Sequence, residues 1–366
     1  MGFYNQLTDW QNFNYEEFFN QVTENDVKSV LEKDELDHRD FLVLLSPAAE
    51  NFIEEMAQQA HRSTVRNFGK VIYIYTPLYL ANYCDNKCLY CGFNVSNEFN
   101  RKKLDFAEVE REAEAVAQKG IKDILILTGG SRNKTPISYI SKCVDIIKEY
   151  FSSISIESYA METEEYRTLF ENGINGLTIY QEVYDKNIYD QVHKKGPKAN
   201  YMFRLNAPER GCKAGMRSVN IGPLLGLDDW RKEAFYSGLH ARYLQNKYLE
   251  TSISLSVPRL RPHLGSFQPK SIVDDKDLVQ IILAYRLFLP RAGITLSTRE
   301  GSGLRNNLLP LGVTKISAEA TTVVGGYTSD EGIGQFSISD DRRVEQVKES
   351  LLEQGYQPVF KNWEQI

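Results

Sequence analysis

The feature that most constrains the fold is the regular alternation of short, mostly apolar segments with helical patterns. The predicted strands span residues 71–75, 124–128, 154–157, 176–180, 217–221, 252–256, 294–297 and 314–317. Repeated strand–helix units with apolar strands build a parallel sheet whose two faces are both buried. About eight strands, with no Gly-x-Gly-x-x-Gly after any of them, favour a closed barrel over an open dinucleotide-binding sheet. We therefore predict the α/β class and a (β/α)8 TIM-type barrel.

The length of the chain suits one such barrel with an addition at each end. A barrel of this kind takes about 250 residues, and more than 400 with insertions, and the chain has 366. We predict one domain over residues 1–366, with a helical extension (1–68), a barrel (69–320) and a tail (321–366). The net charge of −6, the lack of a basic block and the short apolar runs predict a cytoplasmic enzyme without nucleic-acid or membrane binding. We find no signal peptide at the start.

Three cysteines lie close together directly after the first predicted strand. Cys84, Cys88 and Cys91 have the spacing C-x3-C-x2-C, and no fourth cysteine is nearby. Three thiolates can hold an iron–sulfur cubane that normally takes four, which leaves one iron open to a small molecule. A structural zinc site would need a fourth ligand close by, and a disulfide would need an oxidising compartment. Of the other two, Cys143 is predicted to be a core residue of a helix and Cys212 a loop thiol.

Further candidate residues follow the other predicted strands. The active sites of (β/α)8 barrels lie at the C-terminal ends of the strands. The residues at these ends are Gly129–Gly130, Glu157, Gln181–Glu182, Gly222, Pro258–Arg259 and Thr298–Arg299. The segment after the glycine pair is not a P-loop, because Asn133 and Thr128 stand where glycines are needed. The pair is either a backbone edge that approaches a ligand closely or an ordinary turn.

The order of several segments along nearly the whole chain resembles the 2-iminoacetate synthases. These are the tyrosine lyases of thiamine thiazole biosynthesis, within the radical S-adenosylmethionine (SAM) superfamily. The segments that carry the resemblance are residues 41–50, 88–93, 177–182, 256–262, 296–300 and 335–342. The resemblance implies a [4Fe–4S] cluster whose open iron binds SAM and which generates a 5′-deoxyadenosyl radical. It also implies cleavage of the Cα–Cβ bond of L-tyrosine to 2-iminoacetate (dehydroglycine) and p-cresol, with 5′-deoxyadenosine and methionine as further products.

The resemblance implies roles for single residues in holding the cofactors. The three cysteines would ligate the cluster. SAM would be contacted by Tyr90 at the adenine, Gly129 and Gly130 at the methionyl ammonium, Glu182 and Arg204 at its polar groups, and Gly222 to Gly226 at the adenosine. Many superfamily members have an acidic residue directly after the glycines, where this chain has Ser131. We therefore expect the carbonyl groups of the glycine pair, or Glu157, to contact the ammonium.

The resemblance also implies residues that bind the substrate. Ser297 and Arg299 would hold the substrate carboxylate, since a guanidinium pairs with a carboxylate bidentately and a hydroxyl adds a donor. Arg259 is a further catalytic candidate. For any one of these charged residues, a structural ion pair is an equally good interpretation.

The resemblance also implies partners, and it leaves related activities open. A thiazole synthase would receive the unstable product, and a flavodoxin- or ferredoxin-type protein would donate the electron. The alternatives are a tryptophan lyase, a biotin-synthase-like enzyme, a non-catalytic metal-binding scaffold, or the tyrosine lyase of hydrogenase maturation. That last family carries a second cysteine cluster in a C-terminal extension, whereas no cysteine follows Cys212 here. The residue that accepts the phenolic proton, the oligomeric state and the role of the tail are not predicted.

Overall fold

The computed structural model describes residues 2–329 and 331–361. Met1 and residues 362–366, the ends of the predicted extension and tail, lie outside the described residues. Eight parallel strands form a closed barrel, in which each strand pairs with the next and β1 pairs with both β2 and β8. The strands are β1 Val71–Ala81, β2 Asp123–Thr128, β3 Ser153–Glu157, β4 Gly176–Thr178, β5 Ser218–Ile221, β6 Ser252–Ser256, β7 Gly293–Leu296 and β8 Lys315–Ser317. The predicted (β/α)8 barrel is confirmed.

Helices precede, surround and follow the barrel. Those of the predicted extension are α1 Phe3–Gln11, α2 Tyr15–Gln21, α3 Glu24–Leu31, α4 His38–Leu44 and α5 Ile53–Phe68. Those that follow β1 are α6 Phe106–Ala117, α7 Ile137–Ile147, α8 Thr163–Asn172, α9 Lys186–Val192, α10 Tyr201–Leu205, α11 Ala207–Lys213, α12 Trp230–Lys247, α13 Asp275–Phe288, α14 Ser302–Leu308 and α15 Val344–Glu353. Short 3-10 helices cover Pro47–Phe52, Pro197–Ala199 and Leu309–Leu311. The predicted domain boundaries stay predictions.

The extension packs on the outer helices of the barrel. Phe41 of α4 is fully buried, and its ring stacks on that of Phe288 in α13 at 4.2 Å between centroids. Phe3 of α1 stacks on His240 of α12 at 4.1 Å. Stacked aromatic pairs of this kind add about 0.5–1.5 kcal/mol to the free energy gained by burial. The extension is therefore part of the same hydrophobic core as the barrel.

Strand β1 is longer than predicted, because Pro77 lies inside it and does not end it. Tyr73 and Tyr75 form hydrogen bonds to the β8 side, so Pro77, two residues later, turns its nitrogen to the same side. Strand β8 has already ended at Ser317, so the missing N–H breaks no ladder. The carbonyl group of Pro77 accepts a hydrogen bond from the hydroxyl of Tyr327 at 2.7 Å. The longer strand brings the cysteine loop to the top of the barrel.

Two cysteines outside that loop are buried in helices. Cys143 lies in α7 with no exposed surface, as predicted. The prediction for Cys212 is wrong, because it lies buried in α11 and not in a loop. The flanking glycines Gly211 and Gly215 obscured the helical pattern there. Both thiols are core residues.

The last described segments lie against the outside of the barrel. Strand β9 (Gln357–Val359) pairs in parallel with the first residues of β1, on the edge of β1 opposite β8 and before the pairing with β2 begins. The closure of the barrel is therefore made by β8, with β9 as an added ninth strand. Within residues 2–329 and 331–361, none of the helices combines the length and apolar character needed to cross a bilayer.

Candidate active site

The cysteine loop lines a large cavity at the C-terminal ends of the strands. The cavity, together with its mouth that is open to solvent, has a volume of about 950 Å³. Most of the predicted cofactor residues line it: Cys84, Cys88, Cys91, Tyr90, Gly129, Gly130, Glu157, Glu182 and Arg204. The structure thus brings together residues that follow four different strands, as the barrel topology requires.

The glycine pair after β2 lets the cysteine loop pack closely against it. A Cβ atom on Gly129 would lie 2.2 Å from the carbonyl oxygen of Tyr83, which is far inside van der Waals contact. A Cβ atom on Gly130 would lie 2.2 Å from the Asn86 amide nitrogen and 3.4 Å from the Cys84 sulfur. The backbone of Gly129 and Gly130 therefore packs directly against the cysteine loop, in addition to any close approach to a ligand.

Two side-chain amides point their N–H groups at cysteine sulfurs. The Asn86 Nδ2 lies 3.5 Å from the Cys84 Sγ, and the Gln335 Nε2 lies 3.6 Å from the Cys91 Sγ. The oxygen of each amide is held by another donor: the backbone N–H of Lys198 at 2.8 Å for Asn86, and the hydroxyl of Tyr79 at 2.8 Å for Gln335. Such hydrogen bonds orient ligands and tune the metal that they bind.

The three thiols suit an iron–sulfur cluster better than a single ion. Burial raises the pKa of Cys88 to about 12 and also raises the pKa of Cys91, so these two thiols stay protonated when no metal is bound. In the described part of the chain, no three His, Cys, Asp or Glu side chains are close enough to hold one metal ion. In a cubane, each cysteine binds a different iron, so the sulfurs need not converge on one point. Three thiols on one loop, with amide donors already aimed at two of them, fit that group.

Tyr90 is fixed by a buried histidine. The Nδ1 of His193 donates a hydrogen bond to the carbonyl oxygen of Tyr189 at 2.9 Å, which leaves Nε2 as an acceptor for the Tyr90 hydroxyl at 2.7 Å. Burial, together with the charge of Lys198, lowers the pKa of His193 well below its usual value. Burial also raises the pKa of Tyr90 well above its usual value. The pair is neutral and holds the Tyr90 ring at the cavity wall.

Glu182 is held in a strained backbone conformation beside two cations. Its φ angle of 73° lies in the left-handed region, which is costly for a residue with a side chain. The carboxylate lies 2.5 Å from the Lys198 ammonium and 4.0 Å from the Arg204 guanidinium. Arg204 is itself fixed by a 2.7 Å hydrogen bond from its Nε to the carbonyl group of Tyr180. The result is a rigid polar corner in which both signs of charge face the cavity.

Glu157 stands where the cavities of the site meet. It lines the large cavity, a second cavity of about 690 Å³ and a third of about 470 Å³. Burial and the nearby charge of Glu182 raise its pKa to about 7, against the opposing effects of Arg204 and Arg299. A carboxylate with such a pKa changes its charge near neutral pH.

The second cavity contains Ser297 and Arg299. The guanidinium of Arg299 lies over the Phe336 ring, with its central carbon 3.4 Å from the ring centroid. The Oγ of Ser297 accepts a hydrogen bond from the Arg299 backbone N–H at 3.4 Å. Arg299 has no carboxylate partner in an ion pair within the described residues, and burial lowers its pKa. The buried guanidinium is therefore well placed to bind an anionic group.

Three of the predicted site residues do not line these cavities. Arg259 is engaged in ion pairs with the buried Glu300 and with Asp275, the latter at 2.8 Å, which is the structural interpretation left open by the sequence. Gly222 packs so closely on β6 that a Cβ atom would lie 2.1 Å from the Ser256 carbonyl oxygen. Gly226 has a φ angle of 112°. Their proposed contacts to substrate or adenosine stay predictions.

Sequence reasoning missed several residues of the site. His193 and Lys198 reach it because the segment that follows α9 pairs with the cysteine loop through an antiparallel bridge between Cys88 and His193. Gln335 and Phe336 arrive from the region after β8. Only these last two had a signal in the sequence, since they open a segment that carries the family resemblance. Contacts between two loops leave no periodic pattern from which the others could be found.

Comparisons with known proteins indicate the family of the chain. The Radical SAM superfamily model matches residues 78–236, and the Biotin and Thiamin Synthesis associated domain matches residues 256–357. The chain is 39% identical over 358 residues to the 2-iminoacetate synthase of Escherichia coli (strain K12), which covers 97% of this chain and 94% of that protein. It is 24% identical to the 3-methylornithine synthase of Methanosarcina barkeri (strain Fusaro / DSM 804), over 90% of this chain and 92% of that protein.

Solved structures support the same assignment. The crystal structure of HydG, a maturase of the [FeFe]-hydrogenase, superimposes with a TM-score of 0.91 at 32% identity and covers 96% of this chain and 80% of that chain. Methylornithine synthase (PylB) shares the fold, with a TM-score of 0.75 at 23% identity over 91% of this chain and 97% of that chain. The identity to curated synthases over nearly the full length of both proteins shows that the chain belongs to the 2-iminoacetate synthase family of the radical SAM superfamily.

Proposed function

We propose that the protein is a radical SAM lyase that cleaves the Cα–Cβ bond of L-tyrosine to 2-iminoacetate and p-cresol, for the thiazole moiety of thiamine. One observation carries the proposal beyond family membership. The cavity of the cysteine loop and the cavity of Arg299 share lining residues, namely Tyr79, Leu127, Glu157 and Gln335. A cofactor at the cysteines and an amino acid at Arg299 would therefore face each other across Glu157.

Membership of the superfamily implies a [4Fe–4S] cluster and SAM. Cys84, Cys88 and Cys91 would ligate the cluster, and Glu182 with Arg204 would contact the polar groups of SAM. When bound, these groups would supply the 5′-deoxyadenosyl radical that takes a hydrogen atom from the amine of tyrosine. The chain would supply binding, orientation and the exclusion of water around this chemistry.

Arg299 and Ser297 would orient the tyrosine by its carboxylate. The guanidinium can donate two parallel hydrogen bonds, and the stacked Phe336 ring restricts it to one plane. Glu157, when ionised, would attract the amine, which is the end of the substrate that must face the cofactor. Gln335 lines both cavities, and Phe336 lines the cavity of Arg299. Both side chains would keep water from the reacting atoms. Dehydroglycine hydrolyses readily, so we also propose direct transfer to a thiazole synthase.

An anaerobic assay tests the proposal. The protein is reconstituted with iron and sulfide and then given SAM, dithionite and tyrosine. We expect p-cresol and 5′-deoxyadenosine, both lost in Cys88→Ala. 5′-Deoxyadenosine without p-cresol would disprove tyrosine as the substrate. Neither product from a preparation with a full cluster would favour the scaffold interpretation. Cyanide or carbon monoxide among the products would favour the hydrogenase-maturation activity, which the similarity to HydG makes the second candidate.

A further inference from the structure

Four lysines lie in or next to the cysteine loop on the outer surface of the protein. Lys87 lies within the loop, between the first two cysteines. Its backbone pairs with the segment that follows α9: the Lys87 N–H donates to Lys195 at 2.8 Å, and the Lys194 N–H donates to Lys87 at 3.0 Å. Lys270 reaches the same region, since its ammonium donates to the Gln191 side chain at 2.9 Å. Three loops that are distant in sequence thus bring these lysines to one region of the surface; we call them the lysine patch.

The charges of the patch are available to a partner. Lys194, Lys195 and Lys270 are exposed, and Lys87 is half-buried. Two nearby lysines are engaged, Lys186 with Asp190 and Lys198 with Glu182. By contrast, no ion pair in the described part of the chain involves a lysine of the patch. Asp85 is the one exposed acidic residue within the cysteine loop.

The patch brings four positive charges to one region of a chain whose net charge is −6. An acidic partner would be repelled by the net charge of the molecule and attracted by this local group of lysines. Local positive charge of this kind steers encounters and raises association rates, in a way that weakens as salt is added. It also selects one orientation of the partner, with its acidic face against the cysteine loop.

We propose that the lysine patch is the docking surface for an acidic one-electron carrier protein. The inference rests on the proposed function, because each reductive cleavage of SAM consumes one electron at the cysteine loop. The reduced carrier would give up that electron and leave the surface oxidised by one electron. Electron transfer slows steeply with distance, so we expect a carrier to dock against the loop that carries the cluster ligands. Lys87, which is flanked by Cys84 and Cys88, marks that position.

The test compares two variants of equal charge. In the first, Lys87, Lys194, Lys195 and Lys270 are changed to glutamate. In the control, four exposed basic residues near the N-terminal ends of the strands are changed to glutamate: Arg62, Arg66, Lys70 and Arg291. The probe is a recombinant bacterial flavodoxin with a net negative charge. Its dissociation constant is measured by fluorescence anisotropy at low and at physiological salt.

We expect the patch variant to bind flavodoxin at least tenfold more weakly at low salt and to lose most of the salt dependence. The control should keep the salt dependence and differ from the unchanged protein by less than threefold. Equal losses in both variants, or no loss in the patch variant, would overturn the proposal. The triple change Lys194→Glu, Lys195→Glu and Lys270→Glu leaves the cysteine loop intact and should show the same direction if the quadruple variant misfolds. Binding is read without turnover, so failure of the tyrosine-lyase proposal would be seen separately, in the dithionite-driven assay.

Discussion

At the scale of single residues, Arg299 is the group on which the proposed orientation of the substrate depends. Arg299→Lys keeps the charge but loses the planar fork and the stacking on Phe336. We expect the KM for tyrosine to rise roughly 10- to 100-fold, since a hydrogen bond to a charged group contributes about 1.5–3 kcal/mol. Arg242 of α12 provides a control, because it also stacks on a phenylalanine ring, at 4.5 Å, but donates to the carbonyl group of Leu36 in the extension and does not line the cavities. Arg242→Lys should leave the KM unchanged, and an equal rise in both variants would contradict the assignment.

Glu157 makes the stability of the protein depend on pH. Its pKa is raised from 4.5 to about 7 in the folded chain, so the folded state binds more protons than the unfolded state between these values. The free energy of unfolding should therefore fall as pH rises from 4.5 to 7. Glu157→Gln should remove this loss. Between pH 5 and pH 8, the difference in free energy of unfolding between the variant and the unchanged protein should shift in favour of the variant by on the order of 2 kcal/mol. Urea unfolding at the two pH values measures this, and parallel behaviour of the two proteins would refute it.

The sequence predicted residues of the site where a strand end placed them. Cys84, Glu157 and Arg299 each follow an apolar segment, so the barrel topology alone brings them to one face. Arg259 follows a strand in the same way, yet the buried Glu300 turns it away from the cavities. Lys198 reaches the cavity through loop pairing, which no local pattern records. The position of a residue in the barrel was therefore predictable, but the direction of its side chain was not.

At the scale of elements, the contact between the cysteine loop and the end of β2 depends on a missing side chain. In Gly129→Ala, the new Cβ atom would meet the Tyr83 backbone carbonyl group, which cannot move without shifting the loop. We expect a loss of about 1–3 kcal/mol in the free energy of unfolding and a lower iron content after reconstitution. Gly301→Ala is the control, since nothing lies within 4 Å of its Cβ position. It should be neutral or stabilising by up to about 1 kcal/mol.

The elements themselves were predictable to different degrees. Asp105 and Glu108 have the sequence spacing that predicts a capping box, and the box forms at the start of α6, because it depends only on residues three apart. Ser46 and Pro47 have the pattern that predicts the N-cap and first residue of one helix, but the structure divides that segment into the 3-10 turn Pro47–Phe52 and α5. From the sequence alone, Pro77 favours an end of β1 at residue 75, because a proline normally interrupts a ladder. Its place in the strand depends on where β8 ends, which is a property of the closed barrel and not of the local sequence.

At the scale of the whole molecule, a buried ion pair fastens the region after β8 over the barrel. Arg305 of α14 and Asp340 are both almost fully buried and form a salt bridge, which Arg342 extends at 2.6 Å. The same segment places Phe336 on Arg299 and Gln335 on the Cys91 sulfur. It therefore connects the substrate end of the site to the cluster end.

Asp340→Asn would leave the Arg305 guanidinium buried without its counter-charge. We expect the free energy of unfolding to fall by about 3–5 kcal/mol, together with weaker binding of tyrosine. Asp341→Asn is the matched control, since the neighbouring carboxylate is exposed and its loss should cost less than about 0.5 kcal/mol. Chemical denaturation measures the free energy of unfolding of both variants. If the segment after β8 is only loosely attached, both changes will have the same small effect, which would contradict this account.

The most direct test of the account asks whether the amine of tyrosine faces the cofactor across Glu157. The reconstituted protein is given SAM, dithionite and tyrosine in D2O, where the amine carries deuterium and the carbon-bound hydrogens do not exchange. The account predicts p-cresol and 5′-deoxyadenosine in equal amounts, with one deuterium in the 5′-deoxyadenosine as read by mass spectrometry. Unlabelled 5′-deoxyadenosine formed together with p-cresol would contradict it, because the hydrogen would then have come from carbon and the substrate would lie in the cavity with another end toward the cysteines.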